Sequence, residues 1–228
     1  MSVKNEDNFI LVSIVDKIKS NYNTDAIKGM ARYGINTKKA YGMSMPELRK
    51  MGKEFGKNHY LALKLWETQI HEAQILGSLI DDDALVTEEQ MERWVADFDS
   101  WDVCDQVCGN LFYKSPFAKS KIYEWCNRKE EFVKRAGFVL IAEMAVKDKK
   151  ADNEFFTNFF PLIIDGALDH RNFVKKAVNW ALRQIGKRNE FLRVKAIETA
   201  EKIKSLDSKS ARWIANDAIR ELSIRNKK

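Results

Sequence analysis

The chain has 228 residues, 45% of them hydrophobic and 32% charged, a composition that fits a water-exposed globular fold with a sizeable core. Three prolines and ten glycines are too few for a protein of many tight turns or long disordered linkers, and no apolar run reaches the roughly 18 residues of a membrane span. The net charge of +6 is divided unevenly: residues 1–113 carry 13 Lys and Arg against 18 Asp and Glu, whereas residues 114–228 carry 26 against 15.

A basic C-terminal half points to a polyanionic partner such as nucleic acid. A lysine-rich solvated helical surface gives the same numbers, so charge alone does not decide. Residues 1–9 are polar and acidic, which disfavours a secretory leader. Three cysteines, an odd count, imply reduced thiols and hence the cytoplasm as the expected compartment.

From there apolar residues recur at helical spacing to the end of the chain, enough for about twelve helices of ordinary length. The stretch from Tyr33 to Met45 is the least regular and predicts a loop. Ser44-Met-Pro-Glu47 has the form of a capping box, with Pro46 in the first turn of the helix it opens. Asp81-Asp-Asp83 reads as a solvated helix end, and Thr87-Glu-Glu-Gln90 as a second capping box. Asp99 or Ser100 can cap the next helix, on which Trp101 and Asp105, four apart, share a face. Ser115-Pro116 opens another helix, and Asp152 or Asn153 one more. Between them Ala136, Val139, Leu140 and Met144 form a buried stripe. No convincing strand pair is present. Of the six tryptophans, Trp66, Trp94, Trp125 and Trp213 are assigned to the core.

Two short segments repeat. Phe132-Val-Lys-Arg-Ala136 returns as Phe173-Val-Lys-Lys-Ala177, and Ala181-Leu-Arg-Gln-Ile185 as Ala218-Ile-Arg-Glu-Leu222. Periods near 40 with two helices per unit predict an all-α solenoid of paired antiparallel helices of the HEAT-like type. The expected architecture is one domain over residues 1–228. The second helices would line a concave face, made basic by the repeated Lys and Arg.

The chemistry-bearing residues cluster in Ser100–Asp105, Phe132–Arg135 and Ala177–Arg183. An indole face beside a carboxylate attracts a cation. Where such a cation is already a good leaving group on a sugar, cutting its bond needs no strong general acid. A single carboxylate to stabilise the oxocarbenium-like sugar and place a water is enough, whereas ordinary glycoside hydrolysis uses two.

These three segments, together with Tyr41–Arg49, resemble in order and spacing the AlkD-type alkylpurine DNA glycosylases, bacterial repair enzymes built from HEAT-like repeats. The likeness runs from Ala31 to Asn189 and weakens beyond. It implies that Trp101, Asp105 and Trp180 form a lesion-facing cleft and that Arg135 holds the DNA backbone. It also implies a substrate of 3-methyladenine or 7-methylguanine type in duplex DNA, cleaved without rotating the base into a deep pocket. Lys176 and Arg183, on the same basic helix as Trp180, are the further candidates for phosphate contacts. A monomer with one DNA face suffices.

Other chemistries find little support. Cys104, Cys108 and Cys126 lack a fourth ligand at zinc spacing, and His59, His71 and His170 lie far away in sequence. Asp99, Asp102 and Asp105 have no accompanying His or Glu cluster. No glycine-rich phosphate loop occurs. Neither metal nor cofactor is expected. Two rival readings stand beside the glycosylase: a HEAT-like module that binds damaged or branched DNA without cutting it, and a protein-interaction scaffold.

Overall fold

The structure, a computed structural model, describes residues 3–224, with side chains from residue 8 onward. Among the described residues all regular structure is helical: fourteen α-helices and one 3-10 turn. They fall into two compact units, Met1–Ser115 and Pro116–Lys228.

The first unit holds α1 (Val3–Ser20), α2 (Thr24–Arg32), α3 (Met45–Phe55), α4 (His59–Glu67), α5 (His71–Ile80), α6 (Glu88–Ala96) and α7 (Trp101–Asn110), then the 3-10 turn Phe112–Lys114. Helices α3, α5 and α7 pack side by side, with α5 in the middle and buried along nearly its whole length. Helices α4 and α6 form the layer behind, joined by Trp66 and Trp94. Their indole rings stack 4.1 Å apart and nearly parallel, and the Trp66 Nε1–H donates to Asp97. A period that residue identities do not display emerges in the partners: Trp66–Asp97 and His71–Asp102 are 31 residues apart, and Ser78–Asn110 32.

The second unit holds α8 (Ala118–Trp125), α9 (Glu131–Lys147), α10 (Asn153–Thr157), α11 (Phe160–Gly166), α12 (Asn172–Gly186), α13 (Glu190–Lys204) and α14 (Lys209–Ile224). Helices α9, α12 and α14 lie side by side, with α8, α11 and α13 behind them. The repeated segments meet across this layer. Phe132 and Phe173, the first residues of the two copies, have ring centroids 5.6 Å apart. Asn179 on α12 donates to Asp217 on α14, 38 residues further along. Close approach is met by small residues: a Cβ on Gly137 of α9 would come within 2.7 Å of the Cys126 backbone nitrogen.

The start signals act largely as written. Ser44 and Glu47 form both halves of their box, with Pro46 in the first turn. Asp152 caps α10 through the Phe155 N–H. Residues 33–44 form the irregular segment between α2 and α3. Thr87 caps α6, but Gln90 turns away from the cap to donate to Asp81, so the reciprocal half is not formed. After Ser115-Pro116 the helix begins at Ala118, capped by the Phe117 backbone.

Two sequence-based assignments are corrected. Asp81 is not solvated: it is fully buried, accepts from His59 and Gln90, and lends its carbonyl to Lys57. Burial raises its pKa, and the hydrogen bonds from His59 and Gln90 only partly offset that. Trp66, Trp94 and Trp125 are core, but Trp213 is 41% exposed on α14, with the Lys175 ammonium 4.7 Å above its ring. A tryptophan at core spacing is thus used as a platform for a cation.

Candidate functional site

Helix α7 opens at Ser100, whose hydroxyl does not cap its own backbone. It donates instead to Asp102 Oδ1 at 2.7 Å and accepts the Asn36 backbone N–H at 3.3 Å. The next residue, Trp101, is half-buried, and its indole Nε1–H donates to the Tyr33 carbonyl at 3.0 Å. Asp105 follows one turn later on the same face, also half-buried. The pair therefore stands on one helix with its edge on the loop 33–44, and neither side chain is sealed in the core.

The remaining carboxylate of α7 has a different task. Asp102 Oδ2 accepts from His71 Nε2 at 2.7 Å. Burial opposes the charge on both groups. The hydrogen bond and mutual attraction still prevail, so Asp102 stays below the ordinary carboxylate range and His71 titrates above an ordinary imidazole. Glu72, beside His71 and fully buried, accepts the backbone N–H groups of Tyr41 and Gly42 at 2.8 and 2.6 Å. Gly42 sits at φ +83°, where a Cβ would meet the Asn23 carbonyl, so the tight approach of this loop requires glycine there.

In the second unit, Lys176, Trp180 and Arg183 fall at i, i+4 and i+7 of α12 and so line one face. Lys176 is exposed; Trp180 and Arg183 are half-buried. Arg183 pairs with Glu221 and lies 3.7 Å from Asp217, both on α14, and Lys187 shares Glu221. Arg135, on α9, is 5% exposed and donates to the Phe173 carbonyl at 2.6 Å, tying one repeat to the next. Its neighbour Lys134 approaches Asp169 at 3.6 Å. Sequence reasoning put Trp101 and Asp105 on one helical face and Lys176 and Arg183 on the helix of Trp180, and the structure has them so; it did not give the internal partners of Arg135 and Arg183.

It read Ser100 only as a cap, and it missed two residues behind the α7 pair, His71 and Asn36. No local signal marks them, because their partners lie one or two repeats away. Among the described residues, no three His, Cys, Asp or Glu are grouped to hold a metal ion. All three cysteines are buried thiols outside any disulfide. No helix among the described residues is long and apolar enough to cross a membrane.

A solved structure from "a new family of proteins related to the HEAT-like repeat DNA glycosylases with affinity for branched DNA structures" superposes with a TM-score of 0.76. It has 17% sequence identity and covers 92% of this chain and 94% of its own. The fold is therefore of the HEAT-like repeat glycosylase type. No curated protein matches. The sequence matches the family described as DNA alkylation repair enzyme over residues 14–222, nearly the whole chain. The chain therefore belongs to the DNA alkylation repair enzyme family.

Proposed function

We propose that this protein is a monomeric DNA glycosylase that hydrolyses the N-glycosidic bond of cationic alkylated purines, of 3-methyladenine and 7-methylguanine type, in duplex DNA. The observation that carries this reading is the α7 pair: an indole and a carboxylate on one helical face, both half-buried. Asp102, the other acid of that helix, is bound to His71 and Ser100; Asp105, one turn further on and half-buried, is the acid to which we assign the reacting role. Asp105 stabilises the oxocarbenium-like sugar and orients the attacking water. Trp101 and Trp180 offer π-faces to the cationic nucleotide. Lys176, Arg183 and Arg135 are the proposed phosphate contacts; Lys176, the most exposed, is the best placed by accessibility.

The test is release of methylated base from alkylated duplex DNA. We expect release by the wild type and a loss on the order of a hundredfold in Asp105→Asn, the range for removing an electrostatic stabiliser. No release by the wild type rejects the activity; equal release by the variant rejects the role of Asp105.

A second reading has a specific support. The superposed structure comes from a family described by its affinity for branched DNA. Tighter binding to a four-way junction than to linear duplex, together with no base release, would favour a non-catalytic binder of altered DNA.

A further inference from the structure

We propose that His71 is the positioning residue of the α7 pair: held on Asp102, it locks the first turn of α7 to the loop 33–44 and so sets where Trp101 and Asp105 stand. The inference rests on the reading that this pair faces the lesion, and extends it to the device that aims the pair.

A ring of hydrogen bonds closes on this imidazole. His71 Nε2–H donates to Asp102 Oδ2 at 2.7 Å. Asp102 Oδ1 accepts the Ser100 hydroxyl at 2.7 Å, and the Ser100 oxygen accepts the Asn36 N–H at 3.3 Å. Three residues along the loop, the Lys39 carbonyl accepts the backbone N–H of His71 itself at 3.0 Å. Trp101 lies between two members of the ring, Ser100 and Asp102. Its indole is tied to the same loop at Tyr33. Trp101 therefore cannot shift without breaking a link of the ring, and Asp105 follows as the next turn of the same helix.

A ring of this kind could be closed by any neutral donor. An imidazole adds a proton that comes and goes near neutral pH. His71 is 8% exposed, and its Nδ1 has no hydrogen-bond partner and lies 3.9 Å from Glu72 Oε1. The charged groups facing it are Asp102 and Asp99 at the start of α7, Glu72 on its own helix, Asp97 after α6, and Lys38 and Lys39 from the loop. It borders a cavity of about 160 Å³ lined by polar and charged side chains. When charged, His71 cancels Asp102. When neutral, it leaves that negative charge unbalanced in the first turn of α7.

The experiment follows the indole N–H resonance of Trp101, assigned with Trp101→Phe, through a pH titration of the full chain. In the wild type it should move with the same midpoint as the His71 imidazole. In His71→Gln, which keeps a donor but cannot titrate, it should stay fixed over that range. In parallel, single-turnover base release from methylated duplex should slow by about ten- to a hundredfold in His71→Ala, the scale of a small misplacement. DNA affinity should be unchanged, and His71→Gln should partly restore the rate. A Trp101 resonance that does not move in the wild type, or that titrates alike in His71→Gln, overturns the proposal. So does wild-type base release by His71→Ala. Should the wild type release no base, the glycosylase reading falls, and the titration alone decides the positioning role. If His71→Ala fails to fold, His71→Gln carries both measurements.

Discussion

The His71–Asp102 pair links stability to pH in a definite direction. Its histidine titrates above its ordinary value near 6.5, so its contribution is complete below that value and is lost as pH rises through the raised one. Its aspartate titrates below its ordinary 3.8, so its share is present above that value and is lost as pH falls through the depressed one. Between the two the pair contributes most. The urea midpoint of the wild type should therefore fall from about pH 6 to about pH 8 more steeply than that of Asp102→Asn, in which the imidazole loses its anion. Parallel slopes would show that the pair does not couple to folding. None of this was visible in the residues, since His71 and Asp102 carry no motif and are 31 positions apart. Asp81 was misjudged for the same reason: its partner His59 is 22 positions away.

At the level of single helices, two glycines in regular α-helix predict opposite outcomes for one substitution. Gly29 of α2 has nothing within 4 Å of a built Cβ. Gly29→Ala should stabilise by about 1 kcal/mol, the helix-propensity difference. Gly137 of α9 faces the backbone of Cys126 at 2.7 Å. There the same gain is set against overpacking of about 1–3 kcal/mol with backbone that cannot rotate away. Thermal unfolding should show Gly29→Ala above the wild type and Gly137→Ala below it; a rise in both would mean α8 and α9 separate readily. Helix starts were legible because caps are local: Ser44, Thr87 and Asp152 act within three residues of themselves. The failed half of the second box shows the limit. Gln90 had a buried carboxylate to satisfy, and tertiary demand displaced the local bond. Trp213 shows another: helical spacing gives a face, not what covers it.

For the chain as a whole, charge is the coarsest and most testable property. Binding to undamaged duplex DNA should weaken steeply as salt rises. Lys176→Ala should lower the slope of that dependence by about 1, equally for all sequences. Arg135→Ala should do the same through its proposed phosphate contact. It should also lose about 1–3 kcal/mol of stability, because the hydrogen bond from the Arg135 guanidinium to the Phe173 carbonyl, which ties one repeat to the next, is lost. A sequence-selective loss would contradict backbone contact. The repeat architecture was readable only where the second unit preserved it as Phe132 and Phe173; in the first unit the period survives in partner spacing alone. The sealed thiols have a practical consequence. Cys104, Cys108 and Cys126 all lie out of solvent, and burial pushes the Cys126 thiol far up. Maleimide dyes should thus ignore the native chain and attach only to a cysteine introduced at an open position such as 176, giving a clean fluorescent reporter without first stripping the protein of its own sulfur.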